Sequence, residues 1–337
     1  MPELKYDVVG IGNAIVDILA QAEDDFLRRE DIHKGSMTLI HAARAADLFD
    51  KIGPTTTVSG GSAANTVAGI AGLGGNAAYI GRVHDDQLGK GFAHDMKALK
   101  IHYPTKAATT GAPTACCIIM VTPDGQRSMN TFLGASTDFS ASDVDEDTIA
   151  ASQVTYLEGY LFDKPPAMEA FYLAVKLAHK HGRKVALTLS DGFCVDRHRA
   201  EFQALLKQGV DILFANEVEA MALYEKNNLE EALPLIADAC PLTIITRSEK
   251  GAYILSGGRT ITVHAEPVAK VVDTTGAGDS FAAGFLYGLT HGHALPDCGR
   301  IASICAAEVI SHLGPRPQTN LQKLVESKMG VAFSKAS

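Results

Sequence analysis

The chain has 337 residues, of which 46% are hydrophobic and 20% charged, a composition typical of an ordinary folded protein. The formal net charge of -9 argues against nucleic acid or an anionic membrane as the main partner, and the longest apolar runs are too short to span a bilayer. The N-terminus lacks a signal-peptide pattern, so we expect a cytoplasmic protein, with two domains or one large α/β domain carrying an appendage.

Short apolar strands alternate with helix-like stretches along most of the chain. Continuous apolar strands that are separated by helices indicate a parallel sheet covered on both faces, and therefore the α/β class. Strands are predicted over 6–12, 77–83, 154–160, 184–190, 211–216 and 242–248, and helices over 61–75 and 165–182.

Two stretches interrupt this alternation, at residues 14–53 and 106–135. Both look like short strands joined by turns, and Asp124-Gly125 in the second is a hairpin signal. We expect the two to pair into a small second sheet. The predicted division is a large α/β domain from 1–13, 54–105 and 136–337, with a small β part from 14–53 and 106–135.

The six cysteines include no CxxC pair, which predicts reduced and mostly buried thiols, without a disulfide framework or a zinc site. Cys116 and Cys117 are adjacent, so on a strand they would point to opposite faces. A single closing helix is expected after Pro317.

The glycine-rich loop GIGNAI, residues 10–15, resembles a dinucleotide-binding loop only in part. Position 15 is Ile where the third glycine should stand, and no helix follows. A nicotinamide-dependent oxidoreductase is the alternative that this loop leaves open. The P-loop pattern does not occur, so a bound nucleotide would be held in another way.

A second glycine-rich stretch, DTTGAGDSFAAGFLYGL at 273–289, follows a predicted strand end in KVVDTT and opens a predicted helix. The backbone N–H groups of Gly276, Ala277 and Gly278 would converge on one point, where the helix dipole favours negative charge. Asp279 would then accept a proton from a hydroxyl that attacks phosphorus, since phosphoryl transfer needs mainly positioning and charge neutralisation. The alternative is a carboxylate that only stabilises the helix end.

Three motifs together resemble the ribokinase or phosphofructokinase B family of sugar and nucleoside kinases. They are the 273–289 stretch, GGSAANTVAGIAGLGGNAAYIGRVHDDQLGKGF at 60–92, and NEVEA at 216–220. They occur in the family's order and spacing, and the resemblance covers nearly the whole chain. It implies a ribokinase-like three-layer α/β/α sandwich with a mostly parallel central sheet and a small β-sheet lid made from the two insertions.

The resemblance also implies roles on the ATP side of the site. Asp279 would be the catalytic base, and Gly276, Ala277 and Gly278 the anion hole for the transferred phosphoryl group. Asn216 and Glu219 would organise Mg²⁺ through water, although their spacing is equally that of a capping box.

Two further positions are implied more weakly, because the sequence departs from the family pattern or the family itself varies. Thr246 and Gly251 would hold ATP, whereas Ser248 replaces the first glycine of the family's Thr-x-Gly-x-x-Gly. Asp273 and Thr275 lie where some members bind a monovalent cation such as K⁺.

On the acceptor side, a carboxylate and an amide with glycine N–H groups suit two vicinal hydroxyls of a sugar or ribose. The alternative for Asn13 and Asp17 is ordinary turn polarity. The residues predicted to bind this part of the substrate are Asn13, Asp17, Gly60, Gly61, Ser62 and Asn65.

Local features resemble the family's adenosine kinases. Arg127, in DGQRSMNTFLGAS at 124–136, would neutralise phosphate charge as the lid closes, and Phe193 in TLSDGF would stack on a purine. Met37 and Leu39 would cover the base. The alternatives are an exposed salt-bridge arginine and a core phenylalanine.

The sequence therefore predicts an ATP-dependent kinase that phosphorylates the 5′-hydroxyl of a nucleoside, with adenosine as the leading candidate substrate and Mg²⁺ as cofactor. A ribokinase- or fructokinase-type sugar kinase is the alternative within the family. A non-catalytic nucleoside-binding protein is a third hypothesis, which Asp279 and the GAGD turn disfavour. Monomer and homodimer are both left open.

Overall fold

A computed structural model describes residues 2–330 of the protein. Its strands, in chain order, are β1 (Tyr6–Ile11), β2 (Ile15–Gln21), β3 (Met37–Leu39), β4 (Thr55–Gly60), β5 (Ala77–Ile80), β6 (Ala115–Val121), β7 (Arg127–Phe132), β8 (Ser152–Glu158), β9 (Lys184–Thr188), β10 (Ile212–Asn216), β11 (Leu242–Thr246), β12 (Ala252–Ser256) and β13 (Arg259–Val263).

The α-helices, again in chain order, are α1 (Asp24–Arg29), α2 (Ala42–Lys51), α3 (Ser62–Gly72), α4 (Gln87–Ala98), α5 (Glu146–Ala150), α6 (Pro165–Lys180), α7 (Gly192–Gly209), α8 (Glu217–Tyr224), α9 (Leu229–Ala239), α10 (Ala277–Thr290), α11 (Leu295–Val309) and α12 (Leu321–Met329). None of these helices, within residues 2–330, combines the length and apolar character needed to cross a membrane.

The strands form two sheets. The large one has eight strands in the order β13-β12-β11-β10-β9-β8-β1-β5. The six strands from β11 to β5 run parallel, and β12 and β13 add an antiparallel edge. Alternate residues of β1 enter different cores, since Val8 packs with α3, α10 and α11 while Val9 packs with α6, α7 and α9. The predicted α/β architecture, a mostly parallel sheet covered on both faces, is confirmed.

The small sheet has five strands in the order β3-β7-β6-β2-β4. Cys116 on β6 packs on the core shared with the large sheet, whereas Cys117 joins a separate apolar cluster on the other face, as predicted. All six cysteines are buried, and none forms a disulfide in the described part of the chain.

The region 14–53 differs from its prediction in two ways. It contains the helices α1 and α2 as well as strands, because α2 is amphipathic, buries Ala45 and Leu48, and is capped by the His41 ring. In addition, β4 pairs with β2, so residues 55–60 lie in the small sheet although the predicted division placed them with the large domain. The division into two domains stays a prediction.

The strand predicted at 270–275 is absent from the described chain. Val271 and Val272 are exposed, and the segment is irregular backbone held by the N–H of Val272, which donates to the carbonyl of Ile310 at 2.8 Å. The closing helix predicted after Pro317 is α12, and residues 331–337 lie outside the described range.

Candidate active site

Polar side chains collect where the parallel strands of the large sheet end. Asn13 follows β1, and Glu158, Asn216 and Thr246 end β8, β10 and β11. Because parallel strands share one carboxyl edge, these residues lie along the same rim, where α/β sheets bind ligands.

The N-terminus of α10 begins at a left-handed turn. Gly276 has φ 77°, and a Cβ atom on it would lie 2.6 Å from the Cβ of Pro315, so only glycine fits. The N–H of Ala277 donates to the carbonyl of Thr274 at 3.2 Å. Within residues 2–330 the N–H groups of Gly276 and Gly278 have no protein acceptor, and Gly278 is exposed. Two of the three predicted anion-hole amides are therefore available to a ligand.

Asp279, in the first turn of α10, is held by side chains of another helix. Ser62 Oγ donates to its Oδ1 at 2.6 Å and Asn65 Nδ2 to its Oδ2 at 3.1 Å, both from α3. Burial raises the pKa of Asp279 to about 6, and these two hydrogen bonds oppose the rise. Such contacts exceed what a simple helix-end stabiliser requires.

A buried glutamate underlies this arrangement. Glu158, 1% exposed, accepts from Asn13 Nδ2 at 2.8 Å and from the N–H of Ala63 in α3 at 2.8 Å. Burial raises its pKa to about 7. Gly61 has φ 99° and abuts the carbonyl of Asn13. Glu158 thus fixes the start of α3, which carries the two partners of Asp279.

Asp17 reaches the same region from β2 of the small sheet. A Cβ atom on Gly60 would lie 2.6 Å from its Oδ2, so glycine makes room for this carboxylate. Burial raises the pKa of Asp17 to about 6, the positive charges of Arg127 and Arg316 lower it, and Asp279 raises it. The predicted acceptor-binding carboxylate and the predicted base are therefore electrostatic neighbours.

Arg127 and Asp273 form a buried ion pair that joins β7 of the small sheet to the irregular segment before α10. The Asp273 carboxylate also accepts from the N–H groups of Thr275 at 3.0 Å and Gly314 at 2.9 Å. Burial acts to raise the pKa of Asp273, but these hydrogen bonds and the arginine charge hold it below its ordinary value. Arg127 is only 9% exposed, which excludes an exposed surface salt bridge. A role for Asp273 and Thr275 in monovalent cation binding stays a prediction.

Two residues predicted to act near the nucleotide, Asn216 and Glu219, are hydrogen-bonded to each other. They form a reciprocal capping box, with Glu219 N–H donating to Asn216 Oδ1 at 2.9 Å and the Asn216 backbone N–H donating to Glu219 Oε2 at 3.0 Å. The capping interpretation is confirmed, and the Mg²⁺ role stays a prediction. No cluster of His, Cys, Asp and Glu that could hold a metal directly occurs in the described residues.

Thr246 and Gly251 flank a tight turn after β11. Gly251 has φ 85° and Ser248 has φ 50°, so the serine adopts a left-handed backbone that glycine adopts more readily. The ATP-binding role of Thr246 and Gly251 stays a prediction.

The side chains predicted to contact a base are exposed. Met37 and Leu39, on the edge strand β3, are 47% and 54% exposed, and Phe193 at the start of α7 is 79% exposed. Phe193 is therefore not a core residue. Contact of these three side chains with a base stays a prediction.

Two site residues, Glu158 and Arg316, were not found by sequence reasoning. Glu158 stands at the end of an apolar strand, the position shared by the other rim residues, and this was the available signal. Arg316 lies between two prolines in a loop, and its Nε donates to Asn65 Oδ1 at 3.3 Å. Only the fold brings it beside α3.

Comparison with known proteins identifies the class of enzyme to which the chain belongs. Residues 36–321 match the PfkB family of carbohydrate kinases. The chain belongs to this family, and it is a carbohydrate or nucleoside kinase of the PfkB type with the ribokinase-like fold.

Among solved structures, an adenosine kinase from Sinorhizobium meliloti is 50% identical, with 96% of this chain and 99% of that chain covered and a TM-score of 0.89. A probable sugar kinase from Rhizobium etli is also 50% identical, with 97% and 99% covered and the same TM-score of 0.89. A 5-dehydro-2-deoxygluconokinase from Bacillus licheniformis is 27% identical, with 92% of this chain and 91% of the relative covered. The similar proteins therefore act on more than one kind of acceptor.

Proposed function

We propose that the protein transfers the γ-phosphoryl group of ATP to the 5′-hydroxyl of a nucleoside, with adenosine as the preferred acceptor. One observation carries the proposal: the Asp279 carboxylate is held by Ser62 and Asn65 next to the Gly276 turn, where the N–H groups of Gly276 and Gly278 have no acceptor among the described residues. A proton acceptor would thus stand beside a helix end that suits an anion.

In this mechanism Asp279 accepts the hydroxyl proton as the hydroxyl oxygen attacks phosphorus. Donation from Ser62 and Asn65 orients the carboxylate and keeps it ionised. The N–H groups of Gly276 and Gly278 and the α10 dipole stabilise the charge on the transferred group. Asn216 and Glu219 would hold Mg²⁺ through water, and the ion would neutralise phosphate charge.

Arg127 supplies a second positive group. Its Nε and Nη2 atoms are buried and have no protein partner within the described residues, while Nη1 holds Asp273. A phosphate oxygen would satisfy these donors, because a buried guanidinium N–H without an acceptor is costly. The lid strand β7 would thereby be held over the transferring group and exclude water.

The small sheet favours a nucleoside over a free sugar. Asp17, suited to a ribose diol, shares its face with Leu19, Ile119 and Met129, which belong to or pack against one apolar cluster. A diol-binding carboxylate beside an apolar surface matches a ribose joined to a base. The exposed ring of Phe193 is a further surface for stacking.

The test is a substrate panel with ATP and Mg²⁺, measured as acceptor-dependent ADP formation. The acceptors are adenosine, inosine, guanosine, ribose, fructose and 5-dehydro-2-deoxygluconate. We expect adenosine to give the highest kcat/KM. A higher kcat/KM for any sugar would replace the nucleoside assignment with a sugar kinase, and no ADP with any acceptor would overturn the proposal.

A further inference from the structure

The loop between α11 and α12 packs against the anion-binding turn. The N–H of Gly314 donates to Asp273, and Pro315 lies against Gly276. Buried Glu308 anchors the loop, since its Oε1 accepts from the N–H groups of Gln318 and Thr319, each at 3.0 Å. This loop is therefore a fixed wall of the site.

Arg316 extends from this loop to the amide of Asn65. Its Nε donates to Asn65 Oδ1 at 3.3 Å, and Asn65 Nδ2 in turn donates to Asp279 Oδ2 at 3.1 Å. An asparagine amide has one acceptor end and one donor end, whereas an arginine can only donate. Arg316 consequently fixes the flip state of the amide that presents N–H to the carboxylate. The opposite flip would set the Asn65 oxygen against the oxygen of Asp279.

Several ionisable groups surround this chain of hydrogen bonds. The charges of Asp17 and Asp95 and the hydroxyl of Tyr79 face Arg316. Asp279 itself is faced by Asp17, Glu158, Tyr156 and Tyr160. Arg316 is the only cation among the described hydrogen-bond partners of the Asn65 side chain.

We propose that Arg316 is a positioning residue for the transfer reaction, acting on the base Asp279 through the amide of Asn65. The inference rests on the proposed function of Asp279 as the base. It predicts that Arg316 contributes to turnover only while Asn65 is present.

A double-mutant cycle tests this relay. Arg316→Met keeps the aliphatic stem and removes the donors, and we expect kcat to fall about 10-fold with little change in the KM for ATP. In the Asn65→Ala background the same change should have almost no further effect. Arg183→Met is the matched control, because Arg183 is another half-buried arginine, which donates to the Ala150 and Pro2 carbonyls far from the site. An equal loss in both backgrounds would overturn the proposal.

A second measurement needs no substrate, so it stays informative if the kinase assay fails. The carboxyl ¹³C signal of Asp279, assigned with Asp279→Asn, is titrated in wild type and in Arg316→Met. Loss of the Asn65 donor disfavours the ionised form, so the titration midpoint should move to higher pH. An unchanged midpoint would refute the relay, whereas absent ADP formation in wild type would refute only the proposed function.

Arg316→Lys covers the case in which Arg316→Met does not fold. Lysine keeps a donor and the charge, so we expect it to retain most of the turnover and the wild-type titration midpoint. A loss with Arg316→Lys as large as that seen in the Asn65→Ala variant, in a protein with wild-type circular dichroism, would also contradict the relay.

Discussion

Four carboxyl groups around the site have raised pKa values, and of these Glu158 and Glu219 are buried while Asp17 and Asp279 are half-buried. The value is about 6 for Asp17 and Asp279 and about 7 for Glu158 and Glu219, whose carboxylates accept from backbone N–H groups. Desolvation is the first cause in each, because burial penalises the charged form. Asp279 and Asp17 must nevertheless be ionised to act as the proposed proton acceptor and the proposed diol ligand.

The pH profile follows from this requirement. A base acts in its ionised form, so kcat/KM should fall as the pH drops through about 6, where Asp279 and Asp17 take up protons. The measurement is kcat/KM for the acceptor at saturating ATP between about pH 5 and pH 8. A flat profile across that range would contradict the assigned ionisation of the base.

At the residue scale, sequence reasoning found the groups that carry local patterns. Asp279 and Gly276 belong to one contiguous motif, and Asn65 and Ser62 to another, so the sequence alone could single these residues out. It predicted substrate contacts for Ser62 and Asn65, and their hydrogen bonds to Asp279 became visible only in the fold. Arg316 acts through a contact with Asn65 across 251 positions of the chain, and no local pattern encodes that contact.

Among the elements, the turn that opens α10 is the most constrained. Gly276→Ala would force a Cβ atom into left-handed backbone and against Pro315, so we expect a loss of at least about 1–2 kcal/mol in the free energy of unfolding. Turnover should fall as well, because the amides shift. Urea denaturation and kcat are the measurements.

Gly278→Ala is the matched control for this prediction. A Cβ atom on Gly278 meets no atom within 4 Å, and alanine suits a helix, so stability should stay within about 0.5 kcal/mol of wild type. Equal destabilisation by the two substitutions would show that the left-handed turn is not the constraint.

Glu158 joins β8, α3 and Asn13, so its ionisation should be visible in the free energy of unfolding. Its pKa is raised from 4.5 to about 7, and the folded state therefore holds a proton that the unfolded state releases. The free energy of unfolding consequently falls as pH rises from about 4.5 to about 7. Glu158→Gln should make this slope less negative, measured by urea denaturation at several pH values.

Glu249→Gln, on an exposed turn, serves as the control for Glu158→Gln. Its slope should equal that of wild type. Parallel stability curves for Glu158→Gln and wild type would mean that Glu158 is not the group responsible.

Element prediction succeeded where hydrophobic patterns were long and regular. The parallel strands were predicted correctly because their apolar runs are buried on both faces of the sheet, and α6 because its apolar pattern is long. The helix α2 was missed inside a region interpreted as β, and 270–275 was predicted as a strand from two valines that are in fact exposed. Burial, which separates these cases, is a tertiary property.

For the whole molecule, the ion pair of Arg127 and Asp273 links the small sheet to the body. Arg127→Met removes that link and the donors for phosphate, so we expect turnover to fall roughly 10³-fold, the lower end for arginines that act on a transferring phosphoryl group. Amide hydrogen exchange in β6 and β7 should also accelerate. Unchanged exchange together with unchanged turnover would remove Arg127 from both roles.

The pairing of the two insertions into one sheet could be predicted in outline because each is strand-rich and interrupts an α/β pattern. That β4 belongs to the small sheet could not be predicted, because this depends on antiparallel pairing with β2, which places Gly60 opposite Ile15. That pairing sets Gly60 beside the Asp17 carboxylate, for which glycine leaves room.

The central claim is that Asp279 removes a proton from the acceptor hydroxyl. The direct measurement is adenosine-dependent ADP formation by Asp279→Asn, with adenosine binding followed by calorimetry and Asp145→Asn, a helix cap outside the site, as control. We predict a loss in turnover of at least about 10²-fold with binding retained. Wild-type turnover in Asp279→Asn would contradict the account.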